Sequence, residues 1–447
     1  ITIALMSNRV TVMRGALDDA PSHEVGVNDI FFSVTDAKGV ITHVNDVFMH
    51  YAQYSADELI GQPHNLIRNQ EMPAGAFKLM WDTIKAGRPF AAYVRNQAKN
   101  GSAYDVFATV TPLADGSFLS VRTRPMTPLF NAAGDVYQEA NEVEHTDEAQ
   151  ALSRRERAER GVGKLAELIP DYDAFIRDAL PAEVIALEEA GFRLPDGEGE
   201  TYEAAVALYR ELDEFMAALT AINDAVEGLR TANATLIEES AVTDTVRAEM
   251  EKIDADETTR TLLLAPLQVW STMRGVLDQN AQQLAATADE LYVKTSNARM
   301  AIALARLHTA QTAEFAAETV TTAADGDAAG TNAASMRLLV DALETDVRSM
   351  NDAVFAHSSL HGRVEMKVNS IAELTKLPLD MLDSWNEATA ASDMSTQVAP
   401  LAAKIDEAVR AAEASVEQLQ RAVDKLAKAP SAEGVHAALT RLNAAVA

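Results

Sequence analysis

IFFSVTDAKGVITHVND, residues 30–46, is the stretch that points to a fold. Two runs of β-branched and aromatic residues flank Asp36-Ala37-Lys38-Gly39, a sequence typical of a tight hairpin turn. The stretch therefore predicts two antiparallel strands. It lies near the start of a zone, residues 28–126, in which short alternating runs are separated by glycine turns.

The rest of this zone predicts two helices and three further strands. Residues 46–60 are predicted to be helical up to Gly61, and residues 74–87 place apolar side chains on one helix face before Gly87. The order ββααβββ predicts an α+β domain with a five-stranded antiparallel sheet and flanking helices. The last three strands are predicted at 90–98, 104–113 and 117–125, with turns at Asn100-Gly101 and Asp115-Gly116.

The segment YSADELIGQPHNLIRNQEMPAGAF, residues 54–77, adds a more specific pattern. Together with its surroundings, it resembles the PAS sensor domain of Aer-type aerotaxis receptors over about a quarter of the chain. The residues that carry the resemblance are Thr42 to Asp46, Glu58 to Asn65, Arg68, Met72-Pro73, Ala76-Phe77, Met80-Trp81, Gly87 to Pro89, Lys99 to Gly101 and Ser120 to Thr123.

The resemblance implies a PAS fold whose pocket holds FAD and whose flavin redox state is the signal. Where that family has Arg-His-Pro-Asp-Met-Pro, this chain has Arg68-Asn69-Gln70-Glu71-Met72-Pro73, and two tryptophan positions of the family are Phe90 and Asp105 here. The candidate cofactor-binding residues are Arg68, Asn45, Asn69, Glu71, Trp81 and Phe90.

Each candidate also has a structural interpretation. Arg68 is predicted either to face an anionic or carbonyl group of a ligand, or to pair with Glu71 or cap a helix C-terminus. Trp81 lies on an apolar helix face, which favours a place in the core. His64 follows a proline in a loop, where bonding to backbone is the common role, and neither His43 nor His64 is well placed for haem.

The remaining chain predicts an extended all-α region of helical bundles or coiled coils. We expect an N-terminal segment (1–27), a PAS sensor domain (28–126), a helical connector (127–200), two bundle halves (201–320 and 336–447) and a flexible linker between them (321–335). One heptad run comprises Leu208, Leu212, Phe215, Leu219, Ile222, Val226, Leu229, Asn233 and Leu236. A second runs from Val398 to Leu426. These heptads could pair within one chain or between subunits, and the pattern leaves both open.

The amino-acid composition limits the classes of partner that the protein could bind. Asp and Glu number 67 against 38 Lys and Arg, a formal net charge of −29 that argues against nucleic acid or an anionic membrane surface. The chain has no cysteine, so disulfides, thiol catalysis and cysteine-ligated metals are excluded. No apolar run reaches the ~18–20 residues of a membrane span. We therefore expect a cytoplasmic protein that binds protein partners and forms homo-oligomers.

The sequence contains no phosphate-binding loop, zincin, nucleophile-elbow or kinase signature, so we expect no enzyme activity. His357 and His361 have the spacing of metal ligands, but a solvated polar stripe is the favoured interpretation. We also find no membrane segment and no chemoreceptor signalling hairpin. Two functions remain: a sensory signal-transduction protein that detects redox state or a small ligand, or a scaffold in which a degenerate PAS fold and long helices mediate assembly.

Overall fold

A computed structural model describes residues 23–254, 256–321, 326–390, 395–426 and 431–447. The strands are β1 (Phe31–Thr35), β2 (Ile41–Val44), β3 (Phe90–Gln97), β4 (Ala103–Pro112) and β5 (Phe118–Thr123). The shorter helices are α1 (Asp46–Ala52), α2 (Ala56–Leu59), α3 (Ala74–Lys85), α4 (Leu129–Glu144), α5 (Asp147–Gln150), α6 (Arg154–Leu168) and α7 (Tyr172–Glu189). The remaining helices are α8 (Glu200–Met250), α9 (Glu257–Thr321), α10 (Gly326–Ala390), α11 (Ser395–Leu426) and α12 (Glu433–Val446).

The five strands form one antiparallel sheet in the order β2-β1-β5-β4-β3, which confirms the predicted fold class. The predicted hairpin turn forms because the Asp36 carboxylate accepts hydrogen bonds from the backbone N–H groups of Lys38 (2.8 Å) and Val40 (2.9 Å). Gly39 supplies the left-handed backbone that the turn requires, with φ +81°.

The helix predicted over residues 46–60 is two short helices, α1 and α2. Gln53 adopts a left-handed conformation with φ 60°, which ends the first helix. Ser55 and Glu58 then form a capping box that starts the second. Local capping therefore overrides the apolar pattern that runs through both helices.

The sheet has two faces of different character. The inner face, which includes Ser33, Val94, Ala108 and Arg122, is turned toward α3 and a cavity. The outer face consists of Phe32, Val34, Tyr93, Phe107, Thr109, Leu119, Val121 and Thr123, whose positions alternate with those of the inner face.

Aromatic side chains from the helices cover the outer face. The Tyr93 ring lies 5.8 Å from that of Phe130 in α4 and 6.4 Å from that of Phe175 in α7. At the other end of the sheet, Phe32 meets Phe315 of α9 edge-on at 5.1 Å. The outer face is thus part of a hydrophobic core built jointly by the sheet and by helices that follow it.

The chain divides into two compact units. The first contains the described residues up to 216 together with 299–350 and 432–447, and the second contains 217–298 and 351–431. This division differs from the predicted halves, 201–320 and 336–447. The reason is that long helices folding back on one another bring segments distant in sequence into the same unit.

In the second unit, helices of one chain pack against each other. The heptad positions Leu219, Ile222, Val226, Leu229 and Leu236 are buried, as predicted. Asn233 is buried among them and its amide donates to the Ala281 carbonyl across the helix pair at 2.8 Å. Indole N–H groups add two further bonds between helices, from Trp270 to Ser240 (3.0 Å) and from Trp385 to Leu263 (2.7 Å). Pairing between subunits stays a prediction.

The flexible linker predicted at 321–335 is wrong for most of its length. Thr321 ends α9, and α10 already begins at Gly326, while residues 322–325 lie outside the described residues. The segment is rich in alanine, the strongest helix former, which outweighs its glycines.

Of the predicted segment 1–27, only residues 23–27 are described. No helix of the described chain is long and apolar enough to cross a membrane.

Candidate functional site

A cavity of about 440 Å³ lies between α3 and the inner face of the sheet. This volume falls within the range of pockets that hold small molecules, ~300–1,000 Å³. Its wall on the helix side is formed by Ala74, Phe77, Lys78, Met80, Trp81 and Ile84. The opposite wall carries Ser33, Thr35, Val94, Asn96, Ala108, Val110, Phe118, Ser120 and Arg122, and the rim includes Gly39, His64, Asn65 and Arg68.

Trp81 closes one end of the cavity. Its ring meets Phe118 edge-on at 5.5 Å, and the Lys85 ammonium lies 5.1 Å from the ring centre. A Cβ atom at Gly39 would lie 2.9 Å from the indole, so the turn can pass over Trp81 only because it carries glycine there. The hairpin turn therefore packs directly against the Trp81 ring of the cavity wall.

Arg122 brings a positive charge to the cavity wall. It is 6% exposed, it donates to His64 Nε2 at 2.7 Å and to Ser33 Oγ at 3.3 Å, and it lies over the Phe48 ring at 5.3 Å. No carboxylate pairs with it in the described part of the chain. Burial lowers the pKa of Arg122 to about 10, which leaves it charged at neutral pH.

The contact with Arg122 also fixes the state of His64. A guanidinium can only donate, so Nε2 of His64 must accept and the ring is neutral. Burial and the charge of Arg122 lower the pKa of His64 to about 3. The His64 ring thus bonds the Arg122 side chain, while the backbone contact of His64 is made by its main-chain N–H, which donates to the Gly39 carbonyl at 2.9 Å.

Two buried donors at the cavity wall have no hydrogen-bond partner among the described residues. They are Nη1 of Arg122 and Nδ2 of Asn96, the latter on a residue that is 3% exposed. Leaving a buried donor unsatisfied costs ~1–3 kcal/mol, more when the group is charged. A ligand that placed oxygen or nitrogen acceptors here would recover that cost.

Arg68, the candidate singled out from the sequence, lies at the rim. Its guanidinium stacks over the Phe77 ring at 4.1 Å and donates to the Met72 carbonyl at 2.9 Å. Glu71 instead pairs with Arg95 at 3.1 Å, so the predicted Arg68–Glu71 pair is not formed. Arg68 does cap a helix C-terminus: it is the C-cap residue of the 3-10 helix His64–Ile67, and its backbone N–H donates to the Asn65 carbonyl at 3.1 Å.

Of the six candidate residues, Arg68 and Trp81 line the cavity and the other four do not. Asn45 caps α1: its carbonyl oxygen accepts from Phe32 N (3.0 Å) and Phe48 N (3.1 Å), and its amide donates to Ile30 O (2.7 Å). Asn69 accepts from Glu71 N at 2.8 Å, and the Phe90 ring stacks on Tyr172 at 5.3 Å. Ligand binding by any of these side chains stays a prediction.

The region that contains the sheet and the cavity is also the region in which the chain is similar to known proteins. Residues 28–122 match the sequence pattern of the PAS domain family. They form a PAS domain. Over 113 residues the chain is 39% identical to the aerotaxis receptor of Escherichia coli (strain K12), which covers 24% of this chain and 22% of that protein. Over 84 residues it is 31% identical to a nitrogen fixation regulatory protein of Klebsiella pneumoniae, covering 19% of this chain and 17% of that protein.

The chain thus spans about a fifth of the length of these curated relatives. Among solved structures, the LOV domain of a blue-light activated histidine kinase from Erythrobacter litoralis EL346 matches with 16% identity and a TM-score of 0.20, over 21% of this chain and 94% of that one. The light-state structure of the photoreceptor Aureochrome1 LOV matches with 18% identity and a TM-score of 0.22, over 24% and 88%.

Three residues that line the PAS cavity, Arg122, Asn96 and His64, are not among the candidates predicted from the sequence. Arg122 and Asn96 stand at inward positions of strands, where apolar residues are usual. That signal is present in the sequence, because Ser120 and Arg122 alternate with apolar Leu119 and Val121. A polar pair at alternate positions of a buried strand indicates a lined cavity rather than a packed core.

The two histidines with metal-ligand spacing lie one turn apart on α10. The rings of His357 and His361 are nearly parallel at 6.2 Å, and no group of three ligating side chains occurs among the described residues. His357 is buried, so the predicted solvated stripe is wrong for it, and burial lowers its pKa.

Proposed function

We propose that this protein is a cytoplasmic sensory protein in which the PAS cavity binds a small molecule or redox cofactor and the helices relay the change to a protein partner. The observation that supports the proposal most is Arg122, a buried cation without a carboxylate partner in the described chain, with an unsatisfied donor at a cavity wall. A core built only for stability would not retain such a group. The similarity to a receptor and a regulatory protein supports a sensory role.

The cavity favours a ligand that combines a flat apolar body with an acceptor-rich edge. Phe77, Met80 and Trp81 offer apolar surface on the helix side, while Arg122 and Asn96 offer donors on the sheet side. FAD, which the resemblance to aerotaxis receptors implies, has a ring of this kind and would supply a charge that depends on its redox state. The donors of the chain would then bind the more negative form more tightly.

A ligand can shift a protein only if it binds two conformations with different affinity. The proposed route of the shift is short, since β5 ends at Thr123 and α4 begins at Leu129. A change at Arg122 on β5 would reach α4 through the five residues, 124–128, that join the two elements. The proposal includes no catalytic step, and it gives the helices a protein partner or a second copy of the chain as their target.

The test is the visible absorbance spectrum of gently purified, untagged protein, before and after anaerobic reduction with dithionite. We expect flavin bands that bleach on reduction and that Arg122→Met reduces at least tenfold. Arg124→Met is the matched control, because Arg124 pairs with Glu24 and does not line the cavity.

A colourless protein would contradict the flavin assignment. If the colourless protein also formed large, concentration-dependent assemblies, the scaffold function would replace the sensory one. If Arg124→Met lost the bands as fully as Arg122→Met, the loss would reflect general destabilisation rather than binding at the cavity.

A further inference from the structure

The cavity helix α3 is capped by a residue from outside the PAS domain. Its own N-cap is Pro73, which offers no side-chain acceptor. Instead, the two carboxylate oxygens of Glu144 accept hydrogen bonds from the backbone N–H groups of Ala74 and Gly75, each at 2.7 Å. Glu144 is the last residue of α4 and is 2% exposed. A buried charge is therefore held at the positive end of the helix that walls the cavity.

Two glycines make room for this contact. A Cβ atom at Gly75 would lie 2.5 Å from the backbone of Gly161 in α6, and a Cβ atom at Gly161 would overlap the Glu144 carboxylate. The helices α3, α4 and α6 thus meet at one point with the carboxylate between them. Small displacements of α3 cannot be absorbed there by side-chain rearrangement, because backbone faces backbone.

The same carboxylate is also close enough to the cavity rim to act on it electrostatically. Burial lowers the pKa of Arg68, and the charge of Glu144 opposes that shift. Arg68 lines the cavity and stacks on Phe77 of α3. Glu144 therefore connects α3, which forms the cavity wall, with α4, which carries Glu144, and with α6, which lies against its carboxylate.

We propose that Glu144 is the positioning residue through which a displacement of the cavity helix α3 is passed to α6. This deepens the sensory function proposed above and rests on it. The proposal treats the carboxylate as a link with two oxygens, one on each of the first two N–H groups of α3. Movement of α3 must then either move α4 and α6 or break the link.

The test displaces α3 without any ligand. Gly39→Ala places a methyl group against the Trp81 ring of α3, and hydrogen–deuterium exchange followed by mass spectrometry reports on peptides from α3 and α6. The matched control is Gly116→Ala, which has a similar positive φ of +85° but nothing within 4 Å of the new methyl group. Gly116→Ala therefore introduces the same backbone strain without displacing α3. Trp81→Ala serves as a second displacement.

We expect Gly39→Ala to change exchange in both α3 and α6, and Gly116→Ala to change neither. In a Glu144→Gln background, the α3 change should remain and the α6 change should fall at least fivefold. Glu144→Gln alone should raise exchange in the first turn of α3 about tenfold, since an amide can accept only one of the two bonds. Glu142→Gln, an exposed neighbour on α4, should leave both changes intact.

The proposal is overturned if α6 responds equally in the Glu144→Gln background, or if α6 responds to neither Gly39→Ala nor Trp81→Ala in the wild-type chain. These outcomes are independent of the absorbance experiment, because no ligand takes part. If the protein is colourless but α6 responds through Glu144, the flavin assignment fails and the role of Glu144 stands. If the protein binds flavin but α6 does not respond through Glu144, the role of Glu144 fails and the sensory function stands.

Discussion

The two faces of the PAS sheet treat buried charge in opposite ways. On the outer face, the carboxylate of Glu183 accepts from the Tyr93 hydroxyl (2.7 Å), from Met126 N (2.5 Å) and from Thr127 N (3.0 Å). On the inner face, Arg122 has a neutral histidine, a serine and an open donor. Both charges are almost fully buried, but only the outer one is saturated with partners.

This difference distinguishes a buried charge whose partners are all within the protein from one that the proposed function assigns to a ligand. Glu183, from α7, joins the sheet to the segment that leads into α4, and every contact is made within the protein. Burial and the charge of Glu183 raise the pKa of Tyr93, which keeps the hydroxyl a donor. Arg122 instead keeps part of its hydrogen-bonding capacity for something else. The contrast predicts opposite responses to removal of the two charges.

The largest effect is expected at the outer face. Glu183→Ala leaves Tyr93, Met126 and Thr127 without their acceptor, which should cost about 3 kcal/mol of the free energy of unfolding. The Tm measured by differential scanning fluorimetry should fall by roughly 6–12 °C. Glu189→Ala, an exposed carboxylate at the end of the same helix, is the control and should change Tm by less than about 2 °C. Equal shifts for both variants would show that the hydrogen bonds of Glu183 add little.

The inner face should respond with the opposite sign. Arg122→Met removes a buried charge that has no carboxylate partner among the described residues, so the ligand-free protein should gain about 1 kcal/mol and its Tm should rise by roughly 2–4 °C. Arg95→Met is the comparison on the same sheet, because Arg95 is paired with Asp105 (2.9 Å) and Glu71 (3.1 Å). That variant should lower Tm. A fall in Tm for Arg122→Met would mean that Arg122 is as structural as Glu183.

The smallest effect concerns His64 and pH. Since the folded pKa of about 3 lies below the ordinary value of 6.5, the unfolded chain binds the proton first. Stability contributed by neutral His64 is therefore present above pH 6.5 and is lost as pH falls toward 3. The ring is partly exposed to the cavity, so we expect a loss of about 1 kcal/mol or less between pH 7.5 and pH 5.5.

His64→Gln should remove this part of the acid sensitivity, because glutamine can accept from Arg122 but does not titrate in this range. Denaturant unfolding at the two pH values measures the difference, and His50→Gln on the exposed side of α1 is the control. If the free energy of unfolding depends on pH identically in wild type and His64→Gln, protonation of His64 does not contribute to the loss of stability at low pH.

How far the sequence predicted the molecule depends on how local each feature is. The hairpin around Asp36 and the five strands follow from alternation and turn residues within a few positions of each other, and the resemblance to PAS domains agreed with them. The role of Arg122 depends on register, since Ser33 of β1 pairs with Ser120 and places the guanidinium over the cavity. No local pattern gives that register.

The buried glutamates illustrate a second reason. The chain has 67 acidic residues, and nothing near Glu144 or Glu183 distinguishes them from solvated neighbours on the same helices. Their partners are 56 to 90 residues away, at the N-terminus of α3 and on β3 and the segment after β5. The division into two units is equally non-local, because it depends on which turns of the long helices meet.

The return of the chain to its first unit has a consequence for the order of folding. The last helix, α12, buries Val435, Leu439 and Leu442 and belongs to the same unit as the PAS domain. The Thr201 hydroxyl donates to the Ala445 carbonyl at 3.0 Å, which closes the unit across 244 residues. A ribosome translates the PAS domain before α12, so the contacts that join α12 to this unit can form only after residue 445 has emerged. The PAS domain is therefore synthesised before α12, and the packing of their shared unit is completed only afterwards.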